Sequence, residues 1–237
     1  MASGHVNEFT LAEEMREDSC HKNDESAEGA TMRVLMLNGS PNEKGCTYTS
    51  LSEVAGELEK QGIETQIFHI GKKAIRDCIG CGHCFESGYC VFKDDEVNTC
   101  VDLLAQADGF VVGCPVYYAG PAASLCAFLD RMFFGKSAKY AYKPAAAIVN
   151  LRRGGASASF DRLNKYFTIS SMPVVSSQYW NATHGMTPDE VRQDLEGLQV
   201  MRMLGRNMAW LLKCIEAGKG TVPYPEQEER QRTNFIR

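Results

Sequence analysis

The chain of 237 residues lacks any apolar run near the roughly 20 residues that a membrane-spanning helix requires; stretches such as Gly109–Tyr118 are far shorter. It also lacks a charged-then-apolar leader with a small-residue cleavage site. A soluble cytoplasmic protein with no membrane partner is therefore expected. There is no surplus of positive charge, since the formal net charge is −5, and this argues against a nucleic-acid partner. Neither is the chain short of apolar residues. With 44% hydrophobic, 23% charged and 9% aromatic residues, disordered, collagenous and fibrous classes fall away. No internal repeat and no second domain are visible, and the length suits one sizeable core with appendages.

What is present is unevenly spread. Residues 1–31 carry eight acidic side chains against Arg16 and Lys22, so residues 32–237 sum to +1. That acidic segment has few large apolar residues to offset its ordering entropy and reads as a flexible leader, or as a docking segment. Ten cysteines are too sparse for a disulfide-built miniprotein, yet four of them fall within Cys78–Cys90. Crowding of that kind in a cytosolic protein points first to metal or redox chemistry.

From Met32 onward, strand-like and helix-like segments alternate. Strands are expected at Met32–Asn38, Glu64–Ile70, Gly109–Tyr118, Ala145–Leu151 and, as a short fifth, Pro173–Ser177. Helices are expected at Thr47–Gln61, Val97–Ala107, Ala122–Phe134 and Ser157–Phe167. A long helix or bent pair is expected at Thr187–Ala217. Repeated βα units imply a parallel sheet covered on both faces. The expected fold is therefore α/β, a three-layer doubly wound sheet of five parallel strands in the order 2-1-3-4-5. The main domain spans 32–220, with a cysteine-rich insertion at 74–95 and an extended arm at 221–237. The apolar tip of that arm, Phe235-Ile236, is expected to wrap a partner subunit.

In such a sheet, ligands bind beyond the carboxyl ends of the strands, where the strand order reverses. The loop leaving the first strand, Gly39-Ser40-Pro41-Asn42-Glu43-Lys44-Gly45-Cys46-Thr47-Tyr48-Thr49, falls there. It has neither G-x-G-x-x-G nor a closing Gly-Lys-Ser/Thr, which excludes a dinucleotide fingerprint and a nucleotide-triphosphate loop. Its hydroxyls and the free N–H groups of a helix start suit a phosphate monoester such as that of FMN. The alternative is that Ser40 and Thr47 merely cap the helix. At the third-strand exit, Pro115-Val116-Tyr117-Tyr118-Ala119-Gly120 could shape a slot for a flat ring, or hold a core tyrosine pair. At the fourth-strand exit, Arg152-Arg153-Gly154-Gly155-Ala156 could stabilise the negative N1–O2 side of a reduced flavin. A pair of solvated arginines beside a capping turn is the alternative.

The spacing Cys78-x2-Cys81-x2-Cys84-x5-Cys90 lets one tight loop present three thiolates, with the fourth arriving after a short turn. Related spacings hold [4Fe–4S] clusters in ferredoxin-type sites. Zinc sites usually pair two knuckles across a longer gap, so this spacing suits zinc less well. Thiols with no metal remain a third reading. Cys100, Cys114, Cys126 and Cys214 read as packing residues. Cys46 stands at a helix start, where a thiol's pKa tends to fall.

The segments GSPNEKGCTYTSL, PVYYAGPAASLCAFLDR and LRRGGASASFDRLNKYF resemble the NADPH-dependent FMN reductase family, in particular its multimeric flavodoxin and iron–sulfur flavoprotein branch. The resemblance runs from about Met32 to His184. It implies a flavodoxin-like fold, noncovalent FMN and a homodimer or homotetramer. It further implies that Ser40, Asn42, Cys46, Thr47, Tyr48 and Thr49 hold the FMN phosphate. Pro115–Gly120 and Arg152–Ala156 would border the flavin ring, and the four clustered cysteines would hold [4Fe–4S]. Trp180, Asn181 and His184 could line the substrate side.

The reading that follows is an FMN-dependent oxidoreductase using NAD(P)H and a small acceptor: a quinone, an azo or nitro compound, or free flavin. The flavin carries the chemistry, so no catalytic side chain is assigned. A ferredoxin-linked iron–sulfur flavoprotein is the second reading, and a non-enzymatic flavin-binding redox sensor the third.

Overall fold

The computed structural model describes residues 31–135, 137–226, 228, 231 and 233. The acidic leader, with Cys20, and the apolar tip Phe235-Ile236 lie outside the described residues.

Strand β1 (Arg33–Asn38) is followed by helix α1 (Cys46–Glu59) and strand β2 (Glu64–His69). A loop with the short helix α2 (His83–Ser87) leads to α3 (Val97–Gln106) and β3 (Gly109–Tyr117). The two-residue β4 (Gly120–Pro121) precedes α4 (Ala123–Phe133), β5 (Ala145–Leu151) and α5 (Ala156–Ile169). The chain continues through β6 (Ala182–His184), α6 (Pro188–Gln193) and α7 (Leu195–Gly218). The sheet order is β2-β1-β3-β5-β6, all pairs parallel, with β4 attached antiparallel to β3. With that hairpin stub set aside, this is the expected five-strand order, and the chain has the flavodoxin-like α/β fold.

The central strands are apolar along their whole length because both faces are covered. Side chains alternate, so Val34 and Met36 meet α1 and α7 residues such as Leu51, Val54, Met201 and Leu204 on one face. Leu35 and Leu37 join Phe110, Val112, Leu125 and Phe128 on the other, under α3, α4 and α5. Each such large side chain contributes about 1.5–3 kcal/mol by leaving water, which is what holds the three layers together.

The fifth sheet position differs from expectation. Pro173–Ser177 makes only an isolated bridge, Val174 to Ala145, and the strand proper is Ala182–His184 beside Val149–Leu151. Pro173 has no N–H to add to a ladder. The Ser177 hydroxyl then lies within hydrogen-bonding distance of both the Tyr179 carbonyl, at 2.6 Å, and Asn181 Oδ1, at 2.7 Å, which turns the chain before pairing resumes. The long C-terminal helical segment is a bent pair, divided at Asp194, whose carboxylate accepts from the Gly197 N–H at 2.9 Å.

Candidate functional site

β1 has β2 on one side and β3 on the other, so the order reverses at the carboxyl ends of β1 and β3. The loop leaving β1 is pressed against β3. Gly39 N–H donates to the Gly113 carbonyl at 2.9 Å, and a Cβ on Gly39 would lie 2.6 Å from Leu125 Cδ2. Buried Asn38 then shapes the loop from inside. Its Nδ2 donates to the Glu43 carbonyl at 2.9 Å, and its Oδ1 accepts from the Ser40 N–H at 3.1 Å. The Asn42 N–H donates to Ser40 Oγ at 3.1 Å. From the next strand, His69 Nε2 lies 2.7 Å from the Ser40 carbonyl, and since a carbonyl only accepts, that nitrogen carries the hydrogen.

The loop delivers the chain to the start of α1 with no side-chain cap. The N-cap is Gly45, no capping hydrogen bond is made by a side chain, and no acidic residue sits in the first turn. The reading of Ser40 and Thr47 as caps is thereby corrected. Thr47 is buried, its methyl facing Gly113, and the Thr49 hydroxyl donates back to the Gly45 carbonyl at 3.2 Å. Orphan N–H groups at a helix start, with the positive end of its dipole, are a built anion site. Beside them opens a cleft of about 650 Å³ whose wall includes Asn42, Lys44, Cys46, His69, Lys72 and Met186. The sequence reading missed His69, Lys72 and Met186. His69 could have been found as the last residue of an alternating strand at the carboxyl edge, whereas nothing local marks Met186.

Cys46 departs from expectation: burial pushes its thiol up, and Glu190 adds to the rise, so it is not an acidified thiol. Cys100 and Cys114 are buried as expected, with burial pushing the Cys114 thiol up to about 12. Cys126 is only half-buried and Cys214 is exposed, because each lies off the apolar stripe of its helix.

The other two exits meet each other. β3 and β4 are joined by a two-residue turn at Tyr118 and Ala119, both left-handed at φ 49° and 59°. Non-glycine residues there cost about 1–2 kcal/mol each, so the turn is strained. It places Tyr117 half-exposed and Tyr118 fully in solvent, not in a core pair, while Pro115 is buried and Val116 half-buried. The turn rests on Gly155, at φ 96°, whose backbone approaches Ala119 and Val116 Cγ1 so closely that no Cβ fits. Gly155 is also the N-cap of α5, again without a side-chain cap or an acidic first turn. Arg152, Arg153 and Gly154 are exposed beside it, and Ala156 begins the helix. Thus the expected ring-edge residues do converge, around a second uncapped helix start.

The residues downstream of the fifth position divide. Asn181 is buried and donates to the Ala147 carbonyl at 3.1 Å, a structural tie. His184 Nδ1 faces Asp194 at 3.3 Å, and exposed Trp180 packs on Tyr179 at 4.9 Å between ring centroids.

The four clustered cysteines line one small pocket of about 20 Å³, walled by Ile79, Phe92, Phe134 and Arg131. Three left-handed glycines, Gly80, Gly82 and Gly88, supply the bends between them. Cys84 is held over Gly135, and Phe85 packs on Phe134 at 5.3 Å, which docks the loop on the end of α4. Asn98 pins Cys90 from both sides, accepting from its N–H at 2.8 Å and donating to its carbonyl at 3.0 Å. Burial pushes the Cys84 thiol up, and repulsion from Cys78, Cys81 and Cys90 adds to it. The described cysteines are all free. Among the described residues no three Cys, His, Asp or Glu side chains are grouped to hold a single metal ion. No described helix is long and apolar enough to cross a membrane.

The chain is 31% identical over 193 residues to an iron–sulfur flavoprotein of Methanocaldococcus jannaschii, covering 78% of this chain and 100% of the relative. Among solved structures it resembles a WrbA-like flavodoxin from Agrobacterium tumefaciens, with a TM-score of 0.54 and 18% identity, covering 78% of this chain and 99% of the other. It also resembles an NAD(P)H:quinone oxidoreductase from Methanothermobacter marburgensis, with a TM-score of 0.57 and 18% identity, covering 76% and 100%. At those identities the two structures establish the fold alone. Residues 32–187 match the sequence profile described as NADPH-dependent FMN reductase, and the chain belongs to that family.

Proposed function

We infer that this oxidoreductase binds FMN at the carboxyl edge of its sheet and moves electrons from NAD(P)H to a small acceptor. The acceptor class is a quinone, an azo or nitro compound, or free flavin. The observation that carries this reading is the uncapped start of α1 facing the hydroxyl-rich loop at the point of strand reversal. That site fits a phosphate monoester: Ser40, Asn42, Cys46, Thr47, Tyr48 and Thr49 surround orphan N–H donors with no acidic residue in the helix's first turn. The ring is assigned to the strained turn Pro115–Gly120 and the facing segment Arg152–Ala156. When bound, FMN supplies the redox chemistry itself, accepting two electrons and releasing them singly or in pairs. The chain's part is to grip the phosphate, to border the ring at the strained turn, and to aim the uncapped N–H groups of α5 at developing negative charge. A second copy of the chain, giving a homodimer or homotetramer, would cover the fully exposed Tyr118.

A second reading has its own observation, the cavity lined by four thiols. Cys78, Cys81, Cys84 and Cys90 all line that one apolar-walled pocket, and four thiolate donors are the ligand set of an iron–sulfur core. Such a core supplies single-electron transfer. On this reading a ferredoxin-type protein is the electron donor.

The test is an absorbance spectrum of the anaerobically purified full chain, with flavin and iron quantified, followed by mixing with NADH, NADPH or a reduced ferredoxin. Flavin bands bleached rapidly by a nicotinamide support the first reading. Bleaching only by ferredoxin, with about four irons per chain, supports the second. A colourless protein that takes up no added FMN refutes both.

A further inference from the structure

Arg131 is a guanidinium buried where packing alone would favour a hydrocarbon. Its side chain is 0% exposed, in the last turn of α4, beside the stripe of Leu125, Phe128, Leu129 and Met132 that enters the core and against the pocket of the cysteine loop. It pairs with Asp95, itself nearly buried, through both terminal nitrogens, Nη2 donating to Oδ1 at 3.0 Å and Nη1 to Oδ2. Nη1 also donates to the Arg76 carbonyl at 3.2 Å, and the guanidinium lies 5.2 Å from the Phe92 ring centre. Replacing a buried ion pair by apolar groups is often neutral or stabilising, so stability does not account for it. What a hydrocarbon could not do is occupy the remaining direction. With the terminal nitrogens tied down, Nε–H points at Cys90 Sγ, 3.1 Å away. Cys90 cannot drift from that donor, because Asn98 pins its backbone on both sides.

We propose that Arg131 sets the reduction potential of the four-cysteine centre by donating its Nε–H to Cys90 Sγ, with Asp95 as the counter-ion that aims it. The inference rests on the reading that these cysteines hold an iron–sulfur cluster. Adding one electron to such a centre increases negative charge on its sulfur ligands. A donor fixed on one sulfur therefore favours the reduced form, and hydrogen bonds to the sulfurs are among the levers that tune these potentials. Asp95 opposes this slightly, since its negative charge lies just behind the guanidinium. The two residues therefore act on the potential in opposite directions, although both tie down the same loop.

The experiment is a potentiometric titration of the anaerobic full-length protein with dithionite, following the reduced cluster by electron paramagnetic resonance and counting iron. Arg131→Met is expected to lower the one-electron equilibrium constant about tenfold, which is about 59 mV. Arg131→Lys, which keeps the charge but not the fork, falls between it and the parent. Asp95→Asn raises the potential above the parent. An unchanged potential in Arg131→Met at full iron content overturns the proposal, as does a shift of Arg131→Met and Asp95→Asn in the same direction. If Arg131→Met holds no iron, Asp95→Asn decides alone, and an unmoved or lowered potential overturns it. A parent chain that forms no cluster on reconstitution with iron and sulfide removes the cluster reading and this inference together. A normal cluster with flat potentials removes only the inference.

Discussion

A Cβ placed on Gly155 would lie 2.4 Å from the Cα of Ala119, so two sheet exits that are far apart in sequence touch backbone to backbone. Gly155→Ala must therefore push the Tyr118-Ala119 turn away while also holding a left-handed φ. The expected cost is about 2–3 kcal/mol of stability together with weaker FMN binding. Gly154→Ala meets open space and is expected to be neutral in both. Denaturant midpoints and flavin fluorescence quenching for the pair check this, and equal behaviour of the two variants would refute it.

Thr47→Val keeps the buried methyl against Gly113 and removes only the hydroxyl. Loss of one hydrogen bond to an anionic phosphate should weaken FMN binding about tenfold, or about 1.4 kcal/mol. Riboflavin has no phosphate, so its affinity should not change. A parallel loss for riboflavin would show that the hydroxyl serves the fold and not a phosphate site.

Cys81 is exposed, and the thiol cavity shares no lining residue with the cleft beside α1. Cys81→Ser is accordingly expected to lose bound iron while leaving stability within about 0.5 kcal/mol and flavin content unchanged. Iron analysis and the flavin absorbance of the same sample measure both at once. Retention of full iron would exclude Cys81 as a ligand.

Glu57 is buried at the α1–α7 contact and is held by Lys60 Nζ at 2.7 Å and Arg206 Nε at 2.8 Å. These two hydrogen bonds, Lys60 first, hold its carboxyl below the ordinary glutamate range. The folded chain thus binds this proton more weakly than the unfolded chain. The stabilisation is complete above the ordinary value of 4.5 and is lost as pH falls through the lower folded value. Glu57→Gln should cost about 1 kcal/mol at neutral pH and flatten the acid limb of stability. Urea midpoints from pH 7 to about 3 would show this, and an unchanged acid limb would sink it.

The fold was legible because its signals are local. Apolar runs at Met32–Asn38, Gly109–Tyr118 and Ala145–Leu151 mark strands covered on both faces, and each lies within a residue or so of the strand observed. The fifth position was not legible. Pro173–Ser177 is apolar enough to read as a strand, but it meets β5 only at Ala145, where the Val175 N–H donates to the Ala145 carbonyl, and ladder pairing with Val149–Leu151 passes to Ala182–His184. The candidate site was legible where its residues sit on strand-exit loops of distinctive composition. The cysteine spacing likewise groups Cys78, Cys81, Cys84 and Cys90, which line one pocket.

Order of elements, the absence of any nucleotide fingerprint and the four-cysteine spacing are properties of the sequence alone, since each depends on neighbours along the chain. Three other features belong to tertiary structure. His69, Lys72 and Met186 join the cleft beside the β1–α1 loop only because β2 and the segment after β6 end at the same edge. Gly155 meets Ala119 only because β3 and β5 are adjacent in register. Arg131 reaches Cys90 only because α4 packs its last turn beneath the cysteine loop. Local composition sets what a segment can become, while burial and register across the sheet decide which donor faces which acceptor.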